Sequence, residues 1–86
     1  MTAEPTAASA ESGDSEHSYL QQLGARVRDA RTRLGLSRKA LAGKSGVSER
    51  YLAQLESGQG NISILLLRQV AAALDCPLTE LLGERD

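Results

Sequence analysis

The sequence predicts an all-α domain of five short helices, preceded by a disordered N-terminal tail. Three observations carry this. From Leu20 onward, Leu, Val, Ile and Ala recur at three- and four-residue steps, and no β alternation competes with them. Serines stand where helices would begin, and Gly or Pro where they would stop. The opening stretch, MTAEPTAASAESGDSEHS, is rich in Ala, Ser, Glu and Thr without an apolar period. It cannot bury enough surface to offset the entropy of ordering.

The elements follow in order. Leu20, Leu23, Val27, Ala30 and Leu34 form one apolar stripe, which gives a first helix ending at Gly35. Ser37 is a good N-cap for a second helix through Lys44, with Leu41 and Ala42 facing inward. Ser45-Gly46-Val47 is a tight connector in which Gly46 can take a positive φ. Ser48 caps a third helix that holds Leu52 and Leu55 and stops at Gly58. After the loop GQGN, Ser63 caps a fourth helix with Ile64, Leu67, Val70, Ala71 and Leu74 as its inner stripe. Asp75-Cys76-Pro77 breaks the chain, and Leu78, Leu81 and Leu82 make a final turn or two. The helical domain is thus placed at residues 19–83, with 1–18 as the acidic tail. Residues 84–86 are a C-terminal end or the start of a linker.

Composition bounds the function. A chain of 86 residues allows one small domain, and without Trp or Phe its core must be aliphatic. The single cysteine, Cys76, excludes an internal disulfide and a Cys-based zinc site, and reads as a small core residue. The only histidine, His17, lies in the tail and reads as solvated. There is no metal-ligand set, no Gly-rich phosphate loop and no nucleophile with a base in reach, so no metal, cofactor or catalysis is expected. No leader and no bilayer-length run appears, which predicts a cytoplasmic protein without a membrane partner. The net charge of −1 hides an asymmetry. Residues 1–18 carry four acidic residues and no Lys or Arg. Residues 22–60 carry eight basic residues against Asp29, Glu49 and Glu56, a balance of +5, and residues 61–86 return to −2. That contiguous basic segment suits an anionic partner.

The spacing from Arg38 to Ser57 is that of a helix-turn-helix. Ala42 is the small residue at a steep crossing, Gly46 the flexible turn residue four positions later, and Val47, Leu52 and Leu55 fix the second helix. The stretches GARVRDARTRLGLSRKALA, SGVSERYLAQLESG and LLRQVAAALDCPLTELL together resemble the lambda-repressor-like family of Cro and phage-repressor (XRE) type. The resemblance covers about sixty residues, nearly everything outside the tail. It implies a compact five-helix fold in which the third helix enters the major groove of double-stranded DNA. Glu49, Arg50 and Gln54 then occupy the positions that face base edges. Arg can bind guanine O6 and N7 together, Gln can pair with adenine N6 and N7, and Glu can accept from cytosine N4. For Glu49, complementing the positive end of its helix is an equal alternative.

The resemblance implies further roles. Ser37 and Arg38, at the start of the second helix, would touch phosphates, with Lys39, Lys44, Ser48 and Ser57 as further phosphate contacts. Tyr51 would pack at the helix edge and reach a phosphate. Two departures stand out. The family usually has Gln where this chain has Arg38, which strengthens charge without adding sequence information. Relatives often have a basic residue at Gly60 and proline at Ile62; here Gln59 and Asn61 could offer amides instead. Arg31 and Glu56 match a buried ion pair that fixes geometry more than it adds stability.

The expected function is sequence-specific DNA binding in a bacterial transcriptional regulator, a repressor, acting as a homodimer on two half-sites. The competing class is a protein-interaction module on the same scaffold; basic and amide residues on the third helix favour DNA. A narrower resemblance of SERYLAQLESGQGNISILLLRQVA is to regulators of anaerobic aromatic catabolism, which implies a shikimate-kinase-like effector domain outside this chain. Leu65 and Leu66 lie beside the fourth helix's stripe. With Leu78 and Leu82 they are expected either to contribute an interface, for a second subunit or that effector domain, or to thicken the core.

Overall fold

Three of the helices start on a serine because its hydroxyl satisfies a first-turn N–H that has no partner inside the helix. The N–H groups of Ala40, Tyr51 and Leu66 donate to Ser37, Ser48 and Ser63 Oγ at 3.0, 2.9 and 3.4 Å. The computed structural model describes residues 3–59 and 62–83, with side chains from Glu16 onward. Its elements are α1 (Ala3–Arg33), α2 (Arg38–Ser45), α3 (Glu49–Ser57), α4 (Ile64–Ala73) and α5 (Leu78–Leu82). None of the described residues is in a strand.

One boundary differs from expectation. The apolar stripe starts a helix at Leu20, yet the α1 backbone is helical from Ala3, through the segment read as a disordered tail. Ala and Glu propagate a helix well once it is nucleated, and Pro5 falls in the first turn, where its missing N–H costs little. A missing apolar period is evidence against burial, not against helix. Packing begins later: Leu20 and Leu23 are the first described side chains on the core.

Each helix contributes its stripe. Leu23, Val27 and Ala30 of α1 meet Leu41 of α2, Leu52 and Leu55 of α3, Leu67, Val70, Ala71 and Ala73 of α4, and Leu81 of α5. Val47 and Leu74 close the core from the connections. Two expected core positions are outside. Leu34 follows the last turn of α1 and is 48% exposed. Ile64, the first residue of α4, is 54% exposed, because a first-turn side chain leans back toward the helix N-terminus, beyond the packed face. The helix-turn-helix crossing depends on Gly46, whose φ of +82° is strained for any side chain. Gly24 matters for another reason. A Cβ there would collide with the carbonyl oxygens of Leu55 and Glu56, so its absence lets α3 lie against α1.

Candidate nucleic-acid interface

α3 divides into two faces. Leu52, Leu55 and Glu56 are buried, whereas Glu49, Arg50, Gln54 and Ser57 are exposed. Residues four apart on a helix differ by about 40° in direction, so Arg50 and Gln54 project together, opposite Leu52. Glu49 lies in the first turn, toward one flank, where its charge complements the helix N-terminus.

The start of α2 supplies a second group. Ser37 Oγ accepts the Ala40 N–H as a cap, and its own O–H proton remains free to donate. The same holds for Ser48 on α3. Arg38 and Lys39 are exposed in a first turn that contains no acidic residue. Lys44 is exposed in the last turn of α2, about 9 Å along the axis from Arg38.

Beneath this surface lies an ion-pair cluster. Arg31 donates through Nε and Nη2 to the two oxygens of Glu56 at 2.7 and 3.0 Å, and through Nη1 to the Leu36 carbonyl at 2.9 Å. The hydrogen bonds to Glu56 raise the Arg31 pKa further above its ordinary value, against the lowering effect of burial. Arg38 joins the same carboxylate: its Nε donates to Glu56 Oε1 at 3.1 Å. The sequence pattern pairs Arg31 with Glu56 but gives no sign of this third member.

One expected phosphate contact is corrected. The Tyr51 hydroxyl is buried without a hydrogen-bond partner among the described residues, so it does not face outward. Burial raises its pKa, while the nearby Ser63 backbone, outside hydrogen-bond geometry, lowers it in part. A tyrosine ring is large enough that the apolar contact with the core outweighs the wish of its tip for water. Ser57 is exposed and donates to the Gln54 carbonyl at 3.0 Å, a local bond within its own helix. Gln59 is exposed beside the Gly58 cap. Asn61 lies outside the described residues. Of the residues expected at an interface, Leu65 is 66% exposed, whereas Leu66, Leu78 and Leu82 are partly buried against the core. Gly24 was the omission of sequence reasoning; a glycine in mid-helix beside an apolar stripe is the signal that could have found it.

The family profile described as "Helix-turn-helix" (HTH_3) matches residues 27–81. The chain belongs to this family. It is 40% identical over 65 residues to the HTH-type transcriptional regulator SinR of Bacillus licheniformis, covering 74% of this chain and 59% of that one. It is 43% identical over 60 residues to the HTH-type transcriptional regulator SlrR of Bacillus subtilis (strain 168), covering 69% and 40%. Against these curated relatives the chain therefore spans about 59% and 40% of their length. Among solved structures, the restriction-modification controller protein C.AhdI of Aeromonas hydrophila superposes with a TM-score of 0.70 at 40% identity, covering 72% and 94%. SinR, the master regulator for biofilm formation, in complex with DNA superposes at 0.65 with 39% identity, covering 70% and 97%. No described helix of this HTH_3 chain is long and apolar enough to cross a membrane.

Proposed function

We propose that this HTH_3 domain binds double-stranded DNA sequence-specifically as part of a cytoplasmic transcriptional repressor, without catalytic activity. The observation that carries the proposal is the exposed Arg50–Gln54 face of α3, together with exposed Arg38, Lys39 and Lys44 on α2 and the exposed caps Ser37 and Ser48. Arg50 and Gln54 have the donors and acceptors that read guanine and adenine in the major groove. The α2 start and Ser48 supply cations and hydroxyl donors for phosphates, which fix register and most of the affinity. Similarity to SinR, solved in complex with DNA, supports DNA as the partner here. Gln59 and Asn61 remain phosphate candidates through their side-chain amides, where the chain departs from the family.

The functional unit in this reading is a dimer, with exposed Leu65 at its interface and Leu66, Leu78 and Leu82 contributing the apolar edges they leave uncovered. The narrower likeness to regulators of aromatic catabolism, with an effector domain outside this chain, rests on the stretch SERYLAQLESGQGNISILLLRQVA alone. The test is selection of bound sequences from random duplexes at two salt concentrations. A consensus with two half-sites about one helical turn apart is expected, with affinity falling steeply as salt rises. Failure to enrich any duplex would point to the protein-interaction alternative.

A further inference from the structure

Glu56 holds more cation than a structural pair requires. Arg31 alone neutralises the buried carboxylate through two parallel N–H bonds. A second guanidinium on the same group leaves two positive charges around one negative, a net +1. Stability gives no reason to add it, because like charges held together repel.

The two arginines are held differently. Arg31 uses both its side nitrogen and its fork, and its side chain is 12% exposed. Arg38 is 45% exposed, and Nε is its one side-chain donor engaged among the described residues. Holding Nε orients the planar guanidinium and leaves the Nη1–Nη2 edge free. That edge matches two phosphate oxygens bidentately. A lysine there would carry the same charge, but its three N–H donors radiate from one nitrogen and cannot match two phosphate oxygens in one plane.

We propose that Glu56 is a positioning residue for the DNA backbone: it grips Arg38 by Nε and presents the outer edge of its guanidinium to one phosphate. The proposal rests on the DNA-binding reading above. Arg31 serves it by neutralising the carboxylate, so that the phosphate approaches a net positive cluster. Lys39 and the acid-free first turn of α2 lie beside it, and part of the side-chain ordering is complete before DNA arrives. Arg38 is then a directional contact rather than a mobile charge, which gives the departure from the family's usual Gln a physical purpose.

The experiment compares Arg38→Lys, Arg38→Ala and Arg50→Ala in the 86-residue chain, with the selected duplex and a random duplex of equal length as probes. Arg38→Lys is expected to lose about tenfold in affinity for both duplexes at an unchanged salt slope, because charge is kept and bidentate geometry lost. Arg38→Ala should lose at least as much and lower the slope by about one unit. In the free protein, the Arg38 Nε–H should exchange with water more slowly than that of Arg50 by NMR, and Glu56→Gln should erase the difference. If Glu56→Gln does not fold, the wild-type exchange rates and Arg38→Lys still decide. An Arg38→Lys variant that binds as wild type overturns the proposal, as does an Arg38 Nε–H exchanging as fast as that of Arg50. Arg50→Ala separates the two questions. If it weakens the selected duplex while Arg38→Lys changes nothing, the clamp alone fails; if it affects neither duplex, α3 is not the reader; and if the wild type binds neither duplex, the DNA-binding reading itself fails.

Discussion

α3 and α4 are built alike and exposed differently. They have nine and ten residues, each starts after a capping serine, and each buries an apolar stripe in the same core. Yet α3 turns Glu49, Arg50 and Gln54 to solvent, whereas α4 begins with exposed Ile64 and Leu65. The buried faces explain why both are helices, and the exposed faces separate their tasks. A polar face with convergent hydrogen-bonding groups suits base edges, and an apolar one suits a protein surface. The buried sides differ as well. α4 buries only apolar residues, while α3 buries Glu56.

That last difference gives the largest expected effect. Glu56→Ala should destabilise the domain by about 3–5 kcal/mol, because Arg31 would be left buried without its partner. Chemical denaturation measures this, and a loss below about 1 kcal/mol would show that the α3 cluster matters no more than a surface pair. Next comes Gly24→Ala, which pushes α3 away from α1 and should cost about 1–3 kcal/mol. If its thermal midpoint matches wild type, the close approach at Gly24 is not what seats the reading helix. Leu65→Glu tests the α4 face. It should shift stability by no more than about 0.5 kcal/mol, as surface changes do, while abolishing dimeric DNA binding in sedimentation and gel-shift measurements. A strong loss of stability would place Leu65 in the core and erase the contrast between the helices. Tyr51→Phe should have the smallest effect. Removing a buried hydroxyl that has no partner among the described residues is expected to be neutral or stabilising by up to about 1 kcal/mol, with DNA affinity unchanged. A clear loss of affinity would return Tyr51 to the phosphate contacts.

Much of this was legible in the sequence because it rests on local rules. Ser37, Ser48 and Ser63 mark three helix starts, since a cap needs only its own first turn. The stripe Leu67, Val70, Ala71 and Leu74 follows from helix periodicity alone. What escaped depends on distance in space. The helical start at Ala3 escaped because propensity, not burial, governs it. The inward turn of Tyr51 depends on where α4 begins, and the third member of the Glu56 cluster on how α2 crosses α3. Ile64 shows the limit of periodicity: it has the right spacing but lies one turn beyond the packed surface. The Arg50–Gln54 pair was placed at base-facing positions by the family resemblance, and its role is the proposal that a direct test addresses.

That test is the binding of Arg50→Ala to the selected and random duplexes. Arg50 is exposed and far from the buried stripe, so the variant should fold with wild-type stability. It is predicted to lose about 1–3 kcal/mol on the selected duplex, to bind random DNA with a much smaller loss, and to tolerate any base at one position of the site. Unchanged affinity for both duplexes, with every base position still discriminated, would contradict the claim that α3 is the reader.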